Sequence, residues 1–176
     1  AMESVKLLTP SLPPKLTVDV LRHASKACVR EKEFAKAEIL VKQALGISKT
    51  VFGDTHAKYA DSLIDYGFYL VYVGHFTASL QAYQKALYVR KTCFGGDNLQ
   101  VALAHMALAS LPNYLSRVFN DPDRHAEKSL SIMEKFLPSN HLFVANSKRV
   151  LANILNRRTH DEAQLKKAEE LHKFAL

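Results

Sequence analysis

The sequence predicts an all-α fold, a right-handed solenoid of antiparallel helix pairs. Three observations carry that expectation: a repeat of about 42 residues, apolar positions spaced three and four apart, and turn residues that recur between the paired segments. Phe52 and Phe94, each followed by glycine, stand 42 residues apart. Phe34 and Phe76, Ala44 and Ala86, Leu45 and Leu87, and Ala60 and Ala102 share that step. A third copy is looser, with Ala102 recurring as Ala145 and Leu87 as Leu130, each 43 residues on.

Taken in order, the pattern predicts helices over 15–30 and 33–50, 56–74 and 76–93, 98–115 and 119–137, and 141–156 and 161–175. These form four units, 15–55, 56–97, 98–140 and 141–176, behind an extension over 1–14 whose Ala1 and Met2 read as an added residue and an initiator. Pro13 and Pro14 precede the first helix. Gly53, Gly95, Gly96 and Pro138 punctuate the loops between units. In the third unit Asn120, Asp121, Pro122 and Asp123 stand where a second helix should begin, so that helix is expected to start late. Ser25, Gly67, Ala109 and Ala152 share one register site in successive first helices, and Ala44, Ala86 and Ser129 share one in the second helices. Small side chains there predict close helix approach. A lone pair cannot bury both of its faces, so neighbouring pairs must supply the core. The helical pattern runs to Leu176 without a cap, which predicts a segment of a longer array.

Repeated helix pairs of this kind resemble tetratricopeptide repeats, and the long unit resembles those of kinesin light chains. The stretches KLLTPSLPPKLTVDVLRHASKACV, DYGFYL, FGG, HAEKSL and NSKRV narrow the resemblance to the kinesin-light-chain-like adaptors that interact with the amyloid precursor tail, over about Lys6 to Leu155. That resemblance implies an adaptor that binds sorting signals in cargo tails, associates with microtubules, and acts as a substrate receptor of a cullin-RING ubiquitin ligase. It further implies amyloid-precursor-like cargo or C-terminal degrons as partners, and kinesin, microtubules or a cullin-RING adaptor beside them. The expected location is the cytoplasm, with microtubules, membranes and the nucleus as further sites. The segment LPNYLSRVFNDPDR departs from the family pattern in the third unit.

First helices line the concave surface of such arrays. With Leu21, Leu63, His105 and Lys148 taken as equivalent, the exposed positions become Asp19, Arg22, Lys26, Val29 and Arg30 in the first unit, then Asp61, Ile64, Phe68, Val71 and Tyr72 in the second. The third contributes Met106, Ser110, Asn113 and Tyr114, and the fourth Asn146, Arg149, Asn153, Asn156 and Arg157. Among these, Arg22, Lys26, Arg30, Arg149 and Arg157 are placed to hold carboxylates. Asn113, Asn153 and Asn156 suit peptide backbone groups, and Phe68, Tyr72 and Tyr114 serve as anchors. A solvated basic face explains the same cations, and Phe68 and Tyr72 are equally readable as core.

The formal net charge of +7 favours acidic partners. Eight histidines are scattered without metal-ligand spacing, and Cys28 and Cys93 lie far apart, so neither a zinc site nor a disulfide framework is expected. The FGG loop lacks the Lys-Ser/Thr and the preceding strand of a phosphate cradle, and no nucleophile stands with a base and an acid. A non-enzymatic binding protein without cofactor is therefore expected. Two other readings stay open: a basic helical-repeat RNA binder, and a scaffold that self-associates, for instance as a homodimer, through the ends of its repeats.

Overall fold

The computed structural model describes residues 12–111, 121–158, 166 and 168–170. Seven helices follow one another among them: α1 Pro14–Arg30, α2 Phe34–Phe52, α3 Ala57–Tyr72, α4 Phe76–Phe94, α5 Leu99–Ala109, α6 Pro122–Phe136 and α7 Leu142–Arg158. Residues 168–170 are helical as well. The chain divides into two compact units, Ala1–Cys93 and Phe94–Leu176.

In the first unit α1 packs on α2 and α3, and α2 packs on α3. The inward stripe of α1 is Val18, Leu21, Ala24, Ser25, Cys28 and Val29, the spacing that puts one helical face against a neighbour. It meets Ala37, Leu40, Val41 and Ala44 of α2 and Tyr69 and Leu70 of α3 in one apolar cluster. Each fully buried Leu or Val contributes roughly 1.5–3 kcal/mol. A second cluster joins Ala60 and Leu63 of α3 to Ala82, Ala86 and Val89 of α4, with Leu45 of α2 packed against it. In the second unit α5 packs on α6 and α7, and α6 on α7. Ala109, Ala126, Leu151 and Ile154 form a cluster there, with Leu130, Val150 and Leu155 against it.

The small-residue register holds. Ser25, Gly67, Ala109 and Ala152 are all buried, as are Ala44, Ala86 and Ser129. Gly67 shows why: a Cβ built on it lies 2.6 Å from Cδ1 and 3.0 Å from Cζ of Tyr83, with Cε1 nearer still. The ring of Tyr83 on α4 therefore occupies the space a side chain on α3 would need. Ser79 donates to the Gly67 carbonyl at 2.9 Å across the same contact.

Helix ends repeat as well. His56 accepts the Lys58 N–H on its Nδ1 at 3.0 Å, Asn98 accepts that of Gln100 on Oδ1 at 2.8 Å, and His141 accepts that of Phe143 on Nδ1 at 3.1 Å. Each lone pair satisfies an N–H that the first turn leaves unbonded. Two of the eight histidines are thereby helix caps. Within the helix pairs, Glu33 donates to the Cys28 carbonyl and His75 to that of Leu70, both at 2.8 Å. These closures put Lys32 and Gly74 in the left-handed region, at φ 62° and 81°.

Three expectations are corrected. The helix expected over 98–115 ends at Ala109, because Pro112 has no N–H to give to the Leu108 carbonyl and disfavours a helical Leu111. The second helix of that unit starts at Pro122 rather than 119, capped by Asp121, which accepts the Arg124 N–H at 3.3 Å. That late start is the one the Asp-Pro pair foretells. Val29, placed on the exposed face of α1, is 1% exposed and belongs to the core, since the last turn of α1 packs against α2 and α3. Most of the helix expected over 161–175 lies outside the described residues; Ala168 is buried.

Candidate functional site

The expected ligand face of the first unit is carried by α1 and α3, and the fold fills most of it with ion pairs. Arg22 donates from Nε to Asp65 at 2.7 Å and from an Nη to Asp19 at 3.1 Å, with Asp61 at 3.5 Å. Lys26 stands 3.3 Å from the other Asp65 oxygen. Lys58 holds Asp19 at 2.5 Å, and Arg90 of α4 holds Asp61 at 2.9 Å. Asp65 and Arg90 are almost fully buried, so each needs its partner: a lone charge there forfeits hydration with nothing in return. Burial raises the Asp19 carboxyl, but the hydrogen bond and charge of Lys58, with Arg22 and His23 behind it, outweigh that and leave it below its ordinary value of 3.8.

Arg22 is therefore committed to α3. Lys26 is half-buried and shares Asp65, while Arg30 stands exposed in the last turn of α1. Phe68 is half-buried against the α1–α2 core, and Tyr72 is 53% exposed with its ring 4.8 Å from that of Phe68. Phe68 thus serves as a packed base under an exposed Tyr72, combining the two alternatives the sequence leaves open. The exposed functional groups of this face are the cation of Arg30 and the ring of Tyr72.

The second unit carries its own face on α7. Arg149 is exposed and donates to Asn146 Oδ1 at 3.1 and 3.3 Å, Asn153 is half-buried, and Asn156 is exposed. One turn of spacing puts Arg149, Asn153 and Asn156 on one side of the helix. Arg157 follows on the helix backbone; its side chain, like Asn113 and Tyr114, lies outside the described residues.

Sequence reasoning missed Lys58, Asp65 and Arg90. The step from Asp19 to Asp61 is the 42-residue repeat, so two carboxylates on adjacent first helices were readable and called for cations between them. It also missed a pair of rings. His105, in the core register of Leu21 and Leu63, lies with Nδ1 2.7 Å from Nδ1 of His125 on α6. One ring nitrogen donates and the other accepts, which joins α5 to α6. Twenty residues separate them, and no spacing motif joins them. Among the described residues no three His, Cys, Asp or Glu side chains converge as a metal site. Cys28 is buried, and Cys93 is exposed with its thiol donating to the Thr55 carbonyl at 3.1 Å.

No protein-family model matches the chain. Its sequence is 44% identical over 99% of its length to amyloid protein-binding protein 2 of Rattus norvegicus and, equally, of Mus musculus, and it spans 32% of the length of each. Among solved structures, BtubC (BKLC) from P. vanneervenii superposes with a TM-score of 0.74 at 18% identity, covering 95% of this chain and 65% of that one. Kinesin-light-chain TPR-like repeats from Podosopora anserina give 0.66 at 16% identity, covering 99% and 79%. Along nearly all its length the chain is similar to about a third of amyloid protein-binding protein 2, and its helix pairs have the fold of kinesin-light-chain TPR-like repeats.

Proposed function

We propose that the chain is a non-enzymatic protein-binding adaptor whose first helices hold linear peptide segments of other proteins. One observation carries this reading. On α3 and α1, where most charges are paired, Tyr72 stands open over Phe68 and Arg30 is exposed, while Lys26, half-buried, shares Asp65. An exposed aromatic ring and a cation on adjacent first helices offer a peptide apolar contact area together with charge-assisted hydrogen bonds. Arg149, Asn153 and Asn156 on α7, with Arg157 next along the helix, supply a second set that suits carboxylate and backbone groups. The likeness to amyloid protein-binding protein 2 supports cargo tails of the amyloid precursor kind as ligands. Links to microtubule transport, and to a cullin-RING ligase that would take C-terminal degrons, extend the same reading, with the cytoplasm as the place of action.

The test is a fluorescence-anisotropy titration of amyloid-precursor-tail peptides against the chain and two charge-reversed variants, Lys26→Glu/Arg30→Glu and Arg149→Glu/Arg157→Glu. Each variant should weaken binding at least tenfold with its helical circular dichroism intact. Equal affinity in both folded variants refutes the site. A chain that binds RNA with a steep salt dependence and ignores the peptides refutes the function.

A further inference from the structure

The outer face of α4 carries an aromatic ring that the repeat does not call for. Tyr88 is 62% exposed, and Gln81, Gln84, Lys85, Lys91 and Thr92 stand exposed around it on the same side of the helix. The Lys85 ammonium lies 5.5 Å from the centre of the Tyr88 ring. Thr92 is turned back to the helix, where its hydroxyl donates to the Tyr88 carbonyl at 3.0 Å.

The other repeats show that packing does not require this tyrosine. The same register position is Gly46 in α2, forty-two residues earlier, and Ser131 in α6, forty-three later. The lysines differ as well. In α2 the outward Lys36 and Lys42 pair with Glu33 and Glu38, and in α6 Lys128, at the register of Lys85, pairs with Asp97. On α4 no such partner is at hand: from Tyr66 to Gly96 the sequence holds neither Asp nor Glu, and Lys85 and Lys91 form no ion pair among the described residues. Arg90, the third cation of the helix, is turned inward to Asp61. The outer face of α4 therefore presents a ring between two ammonium groups whose charge no described side chain cancels.

We propose that this face of α4 docks an acidic helix of a partner protein, one that sets an apolar side chain on Tyr88 between two carboxylates for Lys85 and Lys91. The spacing suits a helix. Six residues put Lys85 and Lys91 about 9 Å apart along the axis, and carboxylates at i and i+7 of a partner helix, with an apolar residue at i+4, stand about 10.5 Å apart on one face. The lysine stems absorb the difference. An aromatic centre ringed by amides and charges is the make-up of a protein contact, in which the ring gives up its water and the rim keeps it. A nucleic acid is a poorer occupant, because its affinity comes from neutralising a run of phosphates and two lysines answer only two of them. A second copy of the chain is poorer too: its own exposed pair seven residues apart, Glu127 and Glu134 on α6, has the polar Ser131 between them, and Glu134 is held by Lys148.

The 15N-labelled chain tests this against a capped alanine-based helical peptide with Glu, Leu and Glu at i, i+4 and i+7, titrated to millimolar concentration. Amide shifts should concentrate at Gln81, Gln84, Lys85, Tyr88, Lys91 and Thr92, and the same peptide with Gln for both Glu should produce none. Tyr88→Ser and Lys85→Gln/Lys91→Gln in the chain should each weaken binding at least fivefold. Both variants keep their fold, read as unchanged helical circular dichroism, because these side chains are exposed and α6 carries serine at the register of Tyr88. Absent shifts, shifts centred on α1 and α3, or affinity unchanged in both variants overturn the proposal. So does a uridine-rich RNA strand that shifts the same amides at lower concentration than the peptide, which gives the face to nucleic acid. A concentration-dependent dimer in sedimentation that Tyr88→Ser dissolves also overturns it, by giving the face to a second copy.

Discussion

Gly67→Ala separates backbone propensity from packing at a close helix approach in the first unit. Alanine favours a helix interior over glycine by about 1 kcal/mol, so at an unhindered site the change stabilises. At Gly67 the new methyl meets Tyr83 at 2.6 and 3.0 Å, against the 3.5–4.0 Å at which carbon atoms rest. The ring must retreat by roughly 1 Å, and it is only 5% exposed, with burial holding its phenol above its ordinary range. Forced overpacking of this kind costs about 1–3 kcal/mol. The net expectation is a loss of about 1 kcal/mol, or about 2–4 °C in Tm for a chain of this length. Removing the ring reverses the sign: in a Tyr83→Val background the methyl has room, and Gly67→Ala should then stabilise by about 1 kcal/mol. Urea denaturation of the four proteins gives the coupling, expected near 2 kcal/mol. If the alanine stabilises equally in both backgrounds, the glycine is not there for the tyrosine.

Two further predictions concern the first unit. Lys32 holds a left-handed conformation in the turn where, 42 residues later, Gly74 stands with the same pair of closing hydrogen bonds. Lys32→Gly should raise stability by about 0.5–1 kcal/mol, because relief of the side-chain strain exceeds the added entropy of the unfolded chain; an unchanged urea midpoint would refute this. Asp19 titrates below 3.8 in the folded chain and near 3.8 when unfolded. As pH falls, the unfolded state therefore binds the proton first, so the Asp19 contribution is complete above about pH 4 and is lost as pH drops through the lowered value. Lys58→Met removes the main partner. It should cost under about 1 kcal/mol at neutral pH, because the carboxyl is partly solvated, and should flatten the acid limb of the stability profile. Parallel acid limbs in the two proteins would refute the assignment.

The fold was legible because its information is periodic. Ser25, Gly67, Ala109 and Ala152 mark one buried register position seen four times, and each copy corroborates the others. Where the chain breaks its period, legibility fell. Pro112 was carried through as helix because the apolar spacing continues past it, although a missing N–H outweighs spacing. The exposure of the α1–α3 face was partly legible, and its charge pairing was not. Tyr72 and Arg30 are exposed as register predicts, while Arg22 turns inward to Asp65, which depends on how α1 and α3 are set against each other. Arg90 was invisible for the same reason: it reaches Asp61 from α4, a second helix that the concave-face rule leaves out. His105 and His125 meet across two helices whose relative placement no local pattern encodes.

The paired charges of α1 and α3 bear on how fast and how selectively a ligand arrives. Four cations there, Arg22, Lys26, Lys58 and Arg90, meet three carboxylates, Asp19, Asp61 and Asp65. The field each cation would project into solvent is largely cancelled within a few ångströms, leaving little to attract an acidic segment from a Debye length of about 8 Å at physiological salt. On the proposed reading, encounter with this face should proceed at the rate of ordinary diffusion and vary little with added salt, despite the basic charge of the whole chain. If this face binds peptides as proposed, discrimination falls to the lifetime of the complex, and ligands that differ in how a side chain fits over Tyr72 should differ in how slowly they leave.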